Sequence, residues 1–187
     1  MNSGLSWGDF VNQVCGRVSL ALRRLRVYSR LRVETKLRLF KSLILPFFNY
    51  GDVFLLSASQ GDKRALSKSL NDCVRFVFNI RLGDHVTSYQ RHLVGCPFSV
   101  YYDYRSSVFV HRLLLTGCPG YLFEKLTVSE TRRTRRLVTP RNRTALYNNS
   151  FFVQCVRIYN ALPDSIKLLQ NLEAFKRECL EFYNDGV

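Results

Sequence analysis

An arginine-rich segment contains the residue types that point most directly to chemistry. Residues 127–149 are rich in threonine and arginine, show little periodicity and hold a single carboxylate, Glu130. Arginine presents a rigid fork of donors that suits bidentate contact with phosphate, and here it has almost no local acidic partner. The alternative is a solvated, flexible loop, since most short charge runs are of that kind. We expect phosphate binding by Arg132, Arg133, Arg135, Arg136, Arg141 and Arg143.

A second basic cluster lies near the N-terminus. Residues 7–28 repeat apolar side chains with the 3.6-residue period of an amphipathic helix, and Ser6 is a candidate cap. The opposite face of this helix is basic, so its arginines form a stripe. The expected phosphate-binding residues here are Arg17, Arg23, Arg24, Arg26, Arg30 and Arg32.

Catalytic carboxylates are sparse. A polymerase or nuclease that uses two metal ions needs several converging carboxylates. Residues 101–104 read Tyr-Tyr-Asp-Tyr, which is similar to the Tyr-x-Asp-Asp turn of reverse transcriptases, but Tyr104 replaces the second carboxylate. The periodicity around them predicts a helix and not a hairpin, so Asp103 is interpreted as a residue on a solvated helix face. We expect no catalytic residue, no metal site and no cofactor.

The histidines and cysteines do not form a zinc motif. Zinc sites normally supply ligands in close pairs, whereas the nearest approach here is His92-x3-Cys96. We interpret His85 as a turn or capping residue. Several of the six widely spaced cysteines lie on apolar stripes, which predicts reduced thiols in an intracellular protein, cytoplasmic, nuclear or both.

Composition agrees with a folded, basic protein. The 187 residues are 47% hydrophobic, which argues against disorder, and the net charge is +14. The excess positive charges repel one another unless a polyanion screens them, and the usual polyanion is nucleic acid. No apolar stretch approaches the roughly 20 residues that cross a bilayer, so no membrane partner is expected.

The remaining pattern predicts an all-α fold, because no segment alternates convincingly with period two. Helices are expected over residues 33–45 and, after a kink at Pro46, over the apolar run 47–56. Asp62, Thr87 and Ser99 are expected to cap the next three helices, and Gly117 to end the third. Asn149 or Ser150 should cap a helix that closes at Pro163, and a last helix should cover about 172–183. We expect one helical segment over 1–80 and a second over 81–187, with a basic loop at 127–149.

Two motifs carry a family resemblance. Residues 45–51 read Leu-Pro-Phe-Phe-Asn-Tyr-Gly, and residues 160–163 read Asn-Ala-Leu-Pro. With shorter matches in the same order over nearly the whole chain, they resemble the region that follows the catalytic palm in LINE-type (non-LTR) retrotransposon reverse transcriptases, especially jockey-like ones. Tyr159 stands where the family typically has tryptophan. The shorter matches lie at 5–11, 22–26, 42–44, 71–78, 84–87, 117–122, 135–140, 150–152 and 157–166.

The resemblance implies a helical, thumb-like segment that grips a template–primer duplex, followed by a helical extension that engages RNA or target DNA. It implies contact with RNA and DNA through the phosphate backbone, and a partner in the palm and fingers portion of a reverse transcriptase. Fingers, palm and the metal-binding aspartates would lie upstream of Met1, so this would be a truncated product or a separated C-terminal portion. We therefore expect the chain not to be an enzyme on its own.

A different class of function also fits a basic helical protein, namely a host DNA-binding regulator of helix-turn-helix type. It would need a short second helix with polar residues directed at base edges. The candidate over 87–93 offers only Gln90, Arg91 and His92.

Overall fold

The computed structural model describes residues 7–52, 54–130, 134–141 and 143–186. Over these residues the protein is mostly helical, 72% helix against 3% strand, which confirms the predicted all-α class. The chain divides into two compact units, Met1–Ser99 and Val100–Val187. The first unit extends to Ser99, because the helix Thr87–Val94 packs on the helix Gln60–Phe78.

Helices α1 to α5 make up the first unit, with α6 beginning at its end. They are α1 (Gly8–Leu25), α2 (Val33–Leu39), α3 (Leu45–Asn49), α4 (Gln60–Phe78), α5 (Thr87–Val94) and α6 (Phe98–Thr116). Short 3-10 helices lie after α1, at Arg26–Tyr28, and between α3 and α4, at Phe54–Ser57. The core forms where the apolar stripe of α1, centred on Val18, packs against that of α4, centred on Leu70 and Val74.

The backbone around Pro46 departs from the regular α-helix. Between α2 and α3 the chain makes a π-helical turn over Phe40–Ile44. Proline has no N–H to donate to the preceding turn and its ring crowds that carbonyl, so a widened turn before Pro46 relieves both problems. The expected helix over 47–56 is wrong beyond Asn49, because the chain there leaves the helix at Tyr50 and Gly51, where Gly51 adopts a φ of 71°.

A buried lysine joins α2 to the end of α4. Lys36 has no exposed surface, and its ammonium donates to the Phe76 carbonyl at 3.3 Å and to Asn79 Oδ1 at 2.6 Å. Burial lowers the pKa of Lys36. Asn79 ends α4 in the left-handed conformation, so the lysine places positive charge at the negative end of the helix dipole.

The second unit contains most of α6, then α7 (Gly120–Phe123), α8 (Ala145–Asn148), α9 (Phe151–Ala161), α10 (Asp164–Lys167) and α11 (Leu172–Asp185). Gly117 ends α6 with a φ of 65°, as predicted. A short antiparallel hairpin pairs β1 (Val128–Glu130) with β2 (Arg135–Leu137), with Val128 opposite Leu137 and Glu130 opposite Arg135. The 127–149 segment is therefore not a plain loop.

Three predicted caps differ from the structure. Ser59, and not Asp62, caps α4, while Asp62 occupies the third helical position and completes a reciprocal capping box. Thr87 and Ser99 lie inside α5 and α6, which begin at Thr87 and Phe98. Ser150 does precede α9 but makes no capping hydrogen bond with its side chain. The proposed cap Ser6 lies outside the described residues.

Candidate nucleic-acid interface

The outer face of α1 carries exposed arginines. Val18, Leu22 and Leu25 are buried against α4, and the helical period then turns Arg17, Arg23 and Arg24 to solvent. This confirms the predicted amphipathic arrangement of the helix. It leaves the guanidinium groups open to a ligand on the side away from the core.

The chain turns sharply after α1 and exposes apolar side chains among the arginines. Val27 is 80% exposed, Tyr28 57% and Leu31 is also exposed, all within ten residues of the end of α1. We call this surface the basic corner and define it by Arg23, Arg24, Arg26, Val27, Tyr28, Arg30, Leu31 and Arg32, all of them exposed.

The positive charge of the basic corner has no ion-pair partner among the described residues. In the described part of the chain, none of its five arginines makes an ion pair or a side-chain hydrogen bond. The carboxylate nearest in sequence, Glu34, lies exposed in the first turn of α2. Five neighbouring positive charges without acidic partners attract a polyanion, and an exposed tyrosine among them offers a surface on which a base can stack.

The described arginines of the second predicted cluster differ in their exposure. Arg136, Arg141 and Arg143 are exposed, whereas Arg132 and Arg133 lie outside the described residues. Arg135 is only 9% exposed, and its guanidinium donates to the Lys167 carbonyl at 3.2 Å. Alternation along β2 turns Arg135 and Leu137 inward and Arg136 outward, so the expectation of phosphate binding does not fit Arg135.

A buried aromatic stack lies beside Arg135. The His111 ring lies flat against Phe175, with centroids 3.7 Å apart and planes 4° apart, and its Nδ1 lies 3.1 Å from the Tyr159 hydroxyl. Burial lowers the pKa of His111 to about 4; the Leu169 carbonyl opposes this shift and the Arg135 charge adds to it. His111 is therefore neutral near pH 7 and belongs to the core, and it is not available as a zinc ligand.

Asn160 of the Asn-Ala-Leu-Pro motif attaches the hairpin to α9. Its Oδ1 accepts from the Leu137 amide at 2.9 Å and its Nδ2 donates to the Leu137 carbonyl at 2.8 Å. The side-chain amide thereby imitates a neighbouring strand along β2. Leu162, two residues later, is buried, and Pro163 precedes α10.

Of the three polar candidates on α5, Arg91 and His92 are exposed and Gln90 is not. Gln90, one of its three polar candidates, is buried: its Nε2 donates to Asn71 Oδ1 at 2.6 Å and its Oε1 accepts from the Phe98 amide at 3.0 Å. This side chain connects α4 to the start of α6 and cannot reach a base edge. The helix-turn-helix alternative therefore loses one of its three candidate base-contacting residues.

The Tyr-Tyr-Asp-Tyr motif lies on α6, in agreement with the helix predicted there. Tyr101 and Tyr102 are buried and Asp103 is half-buried. Within the described ranges, no three histidine, cysteine or acidic side chains come together as a metal site. The six cysteines are separate thiols.

Sequence reasoning did not identify a groove between α1 and α3. Its volume is about 600 Å³, and Phe10, Arg17, Phe47 and Tyr50 are among the residues that line it. Of these four, Arg17 alone is a predicted site residue, for its charge. The signal that could have located the groove is the exposed aromatic of the Asn-Tyr-Gly motif, Tyr50.

Comparisons with protein-family models, with curated proteins and with solved structures found no match. No helix in the described part of the chain is long and apolar enough to cross a membrane.

Proposed function

We propose that this chain is a non-catalytic, nucleic-acid-binding portion of a LINE-type reverse transcriptase, and that the basic corner is its main contact with phosphates. The observation that carries the proposal is the corner itself: five exposed arginines, unpaired within the described residues, around the exposed Tyr28. Phosphate contacts by arginine supply most of the sequence-independent affinity for DNA and RNA.

The two family-like motifs support the same proposal through their structural roles. Gly51 turns the chain after α3 and leaves Tyr50 exposed, while Asn160 fixes the arginine-bearing hairpin to α9. Each motif thus holds an element that presents basic or aromatic residues. The proposed binding is to RNA and DNA through the backbone, with Arg136, Arg141 and Arg143 as a further contact in the second unit.

A salt titration tests the proposal. Affinity for duplex DNA, RNA–DNA hybrid and single-stranded RNA is measured over a range of salt concentrations for the native protein and for a variant with Arg23, Arg24, Arg26 and Arg30 changed to alanine. Each phosphate of duplex DNA that the variant no longer neutralises removes about 0.9 from the slope of log affinity against log salt, so a flattening by roughly 2 to 4 is expected. The weakening should be similar on unrelated sequences, because phosphate contacts carry no sequence information.

A matched control removes the same charge elsewhere. Arg64, Lys68, Arg81 and Arg112 are exposed cations outside the basic corner, and changing these four to alanine lowers the net charge by the same amount. The slope should then change much less than in the corner variant. Equal slopes for both variants, with helicity retained, would show that the corner makes no specific phosphate contact.

A further inference from the structure

The groove between α1 and α3 combines an open aromatic wall with polar groups. It is lined by Phe10, Gln13, Arg17, Pro46, Phe47 and Tyr50, and its volume of about 600 Å³ lies within the range of small-ligand sites. Such sites are mostly apolar with a few placed polar groups, which is the composition found here.

Tyr50 provides the open part of this wall. Its side chain is 72% exposed, and its ring lies 6.2 Å from the Phe10 ring at a tilt of 37°. Its backbone is held in place, because the Tyr50 amide donates to the Pro46 carbonyl at 3.0 Å and Gly51 turns the chain away. A tyrosine presented in this way offers a π-face that any base can stack on.

The polar groups of the groove match the other parts of a nucleotide. Arg17 is exposed and makes no ion pair in the described part of the chain, so it can contact a phosphate. Gln13 is exposed as well, and its amide offers both donors and an acceptor for a base edge. The side chains of a purely apolar peptide would offer these two groups no partner.

The groove and the basic corner lie on one side of α1. Phe10, Arg17 and Arg24 follow one another at intervals of seven residues, which brings them to the same helix face, about 10 Å apart along the axis at each step. One strand of nucleic acid can therefore run along this face from the corner to the groove, with Arg24 and Arg17 about 10 Å apart on its path.

We infer that the groove binds an unpaired nucleotide of a single-stranded nucleic acid, with the base stacked on Tyr50 and the phosphate at Arg17. The inference rests on the proposed function, and it adds a preference for unpaired over paired bases. A base within a duplex is stacked on both faces and cannot enter the groove without leaving its neighbours.

Tyr50→Ala tests the inference with defined probes: a single-stranded RNA oligonucleotide carrying one 2-aminopurine, and a duplex DNA of equal length. Removal of one base–aromatic stack should weaken single-strand binding by roughly 5- to 100-fold and leave duplex binding and the salt slope unchanged. Tyr50→Phe should bind like the native protein. The matched control is Tyr121→Ala, which removes a tyrosine that is 67% exposed on α7, in the second unit.

Two optical signals report directly on the groove. Stacking should quench 2-aminopurine on the native protein and not on Tyr50→Ala. Trp7, the only tryptophan, lies 6.3 Å from Phe10, so its fluorescence should change as the groove fills.

The outcomes separate the two proposals. If Tyr50→Ala binds single strands like the native protein while the corner variant loses affinity, the groove inference is overturned and the proposed function stands. If Tyr50→Ala weakens single-strand and duplex binding equally, the inference is also overturned. The same holds if an apolar peptide competes for the groove while RNA leaves the fluorescence of Trp7 unchanged. If neither the corner variant nor Tyr50→Ala changes the affinity for any of the nucleic acids, the proposed function itself fails.

Discussion

Mild acid should destabilise the second unit through His111. The imidazole is fully buried, stacks on Phe175 and meets the Tyr159 hydroxyl, and burial lowers its pKa to about 4. An unfolded histidine has a pKa of about 6.5. At pH values between these two pKa values, the unfolded chain is protonated at His111 and the folded chain is not. This contribution to stability is therefore complete above pH 6.5 and is lost as the pH falls towards 4.

The size of the effect follows from the two pKa values. Proton linkage gives a decrease of about 2 kcal/mol by pH 5 relative to neutral pH, with a steepest slope near 1.2 kcal/mol per pH unit. Below pH 4 both states are protonated and the histidine makes no further difference. Since carboxylates titrate mainly below pH 5, the interval from pH 7.5 to 5 isolates the histidine contribution.

The assay is urea unfolding followed by circular dichroism at several pH values in that interval, together with an NMR titration of the imidazole. His111→Phe keeps a ring against Phe175 and removes the titrating group. Between neutral pH and pH 5, its free energy of unfolding should therefore fall by about 2 kcal/mol less than that of the native protein. His85→Gln, which removes an exposed imidazole, serves as the control. An NMR titration that protonates His111 near pH 6.5, or equal pH dependence in the native protein and His111→Phe, would refute the reasoning.

Two further predictions concern the second unit and the thiols. Asn160→Ala removes both hydrogen bonds to Leu137 and should destabilise the unit by about 1–3 kcal/mol; faster hydrogen exchange at the Leu137 amide would confirm it, and unchanged exchange would count against it. Cys118 is an exposed thiol, whereas burial raises the pKa of both Cys96 and Cys155 to about 12, so a maleimide at pH 8 should label Cys118 first in the native protein. Mass spectrometry of briefly labelled protein checks this, and early labelling of Cys96 or Cys155 would contradict it.

Much of the fold could be predicted because the long helices bury one continuous stripe. In α1 and α4 the apolar residues recur every three or four positions, and this local period alone decides which side chains enter the core. The same period places Arg17, Arg23 and Arg24 outside. Gly117 marked the end of α6 because glycine readily adopts the left-handed conformation that the helix end requires.

The hairpin was missed because its strands are too short to show a pattern. A strand of only three residues cannot show the alternation of inward and outward side chains, because the surrounding segment is rich in arginine and threonine. Pairing with β1 and the hydrogen bonds from Asn160, 23 residues beyond Leu137, determine its orientation. The buried position of Arg135 follows from that orientation, and the charge pattern alone could not separate Arg135 from Arg136.

The sequence by itself determined that the protein is basic and helical, and which helix faces are apolar, since these properties depend on residues within a few positions of each other. Tertiary structure decided which distant groups meet: Lys36 with the end of α4, His111 with Phe175, and Tyr50 with the groove beside α1. Side chains far apart in the chain come together only when whole elements pack. Their partners, burial and pKa values therefore carry no local signature.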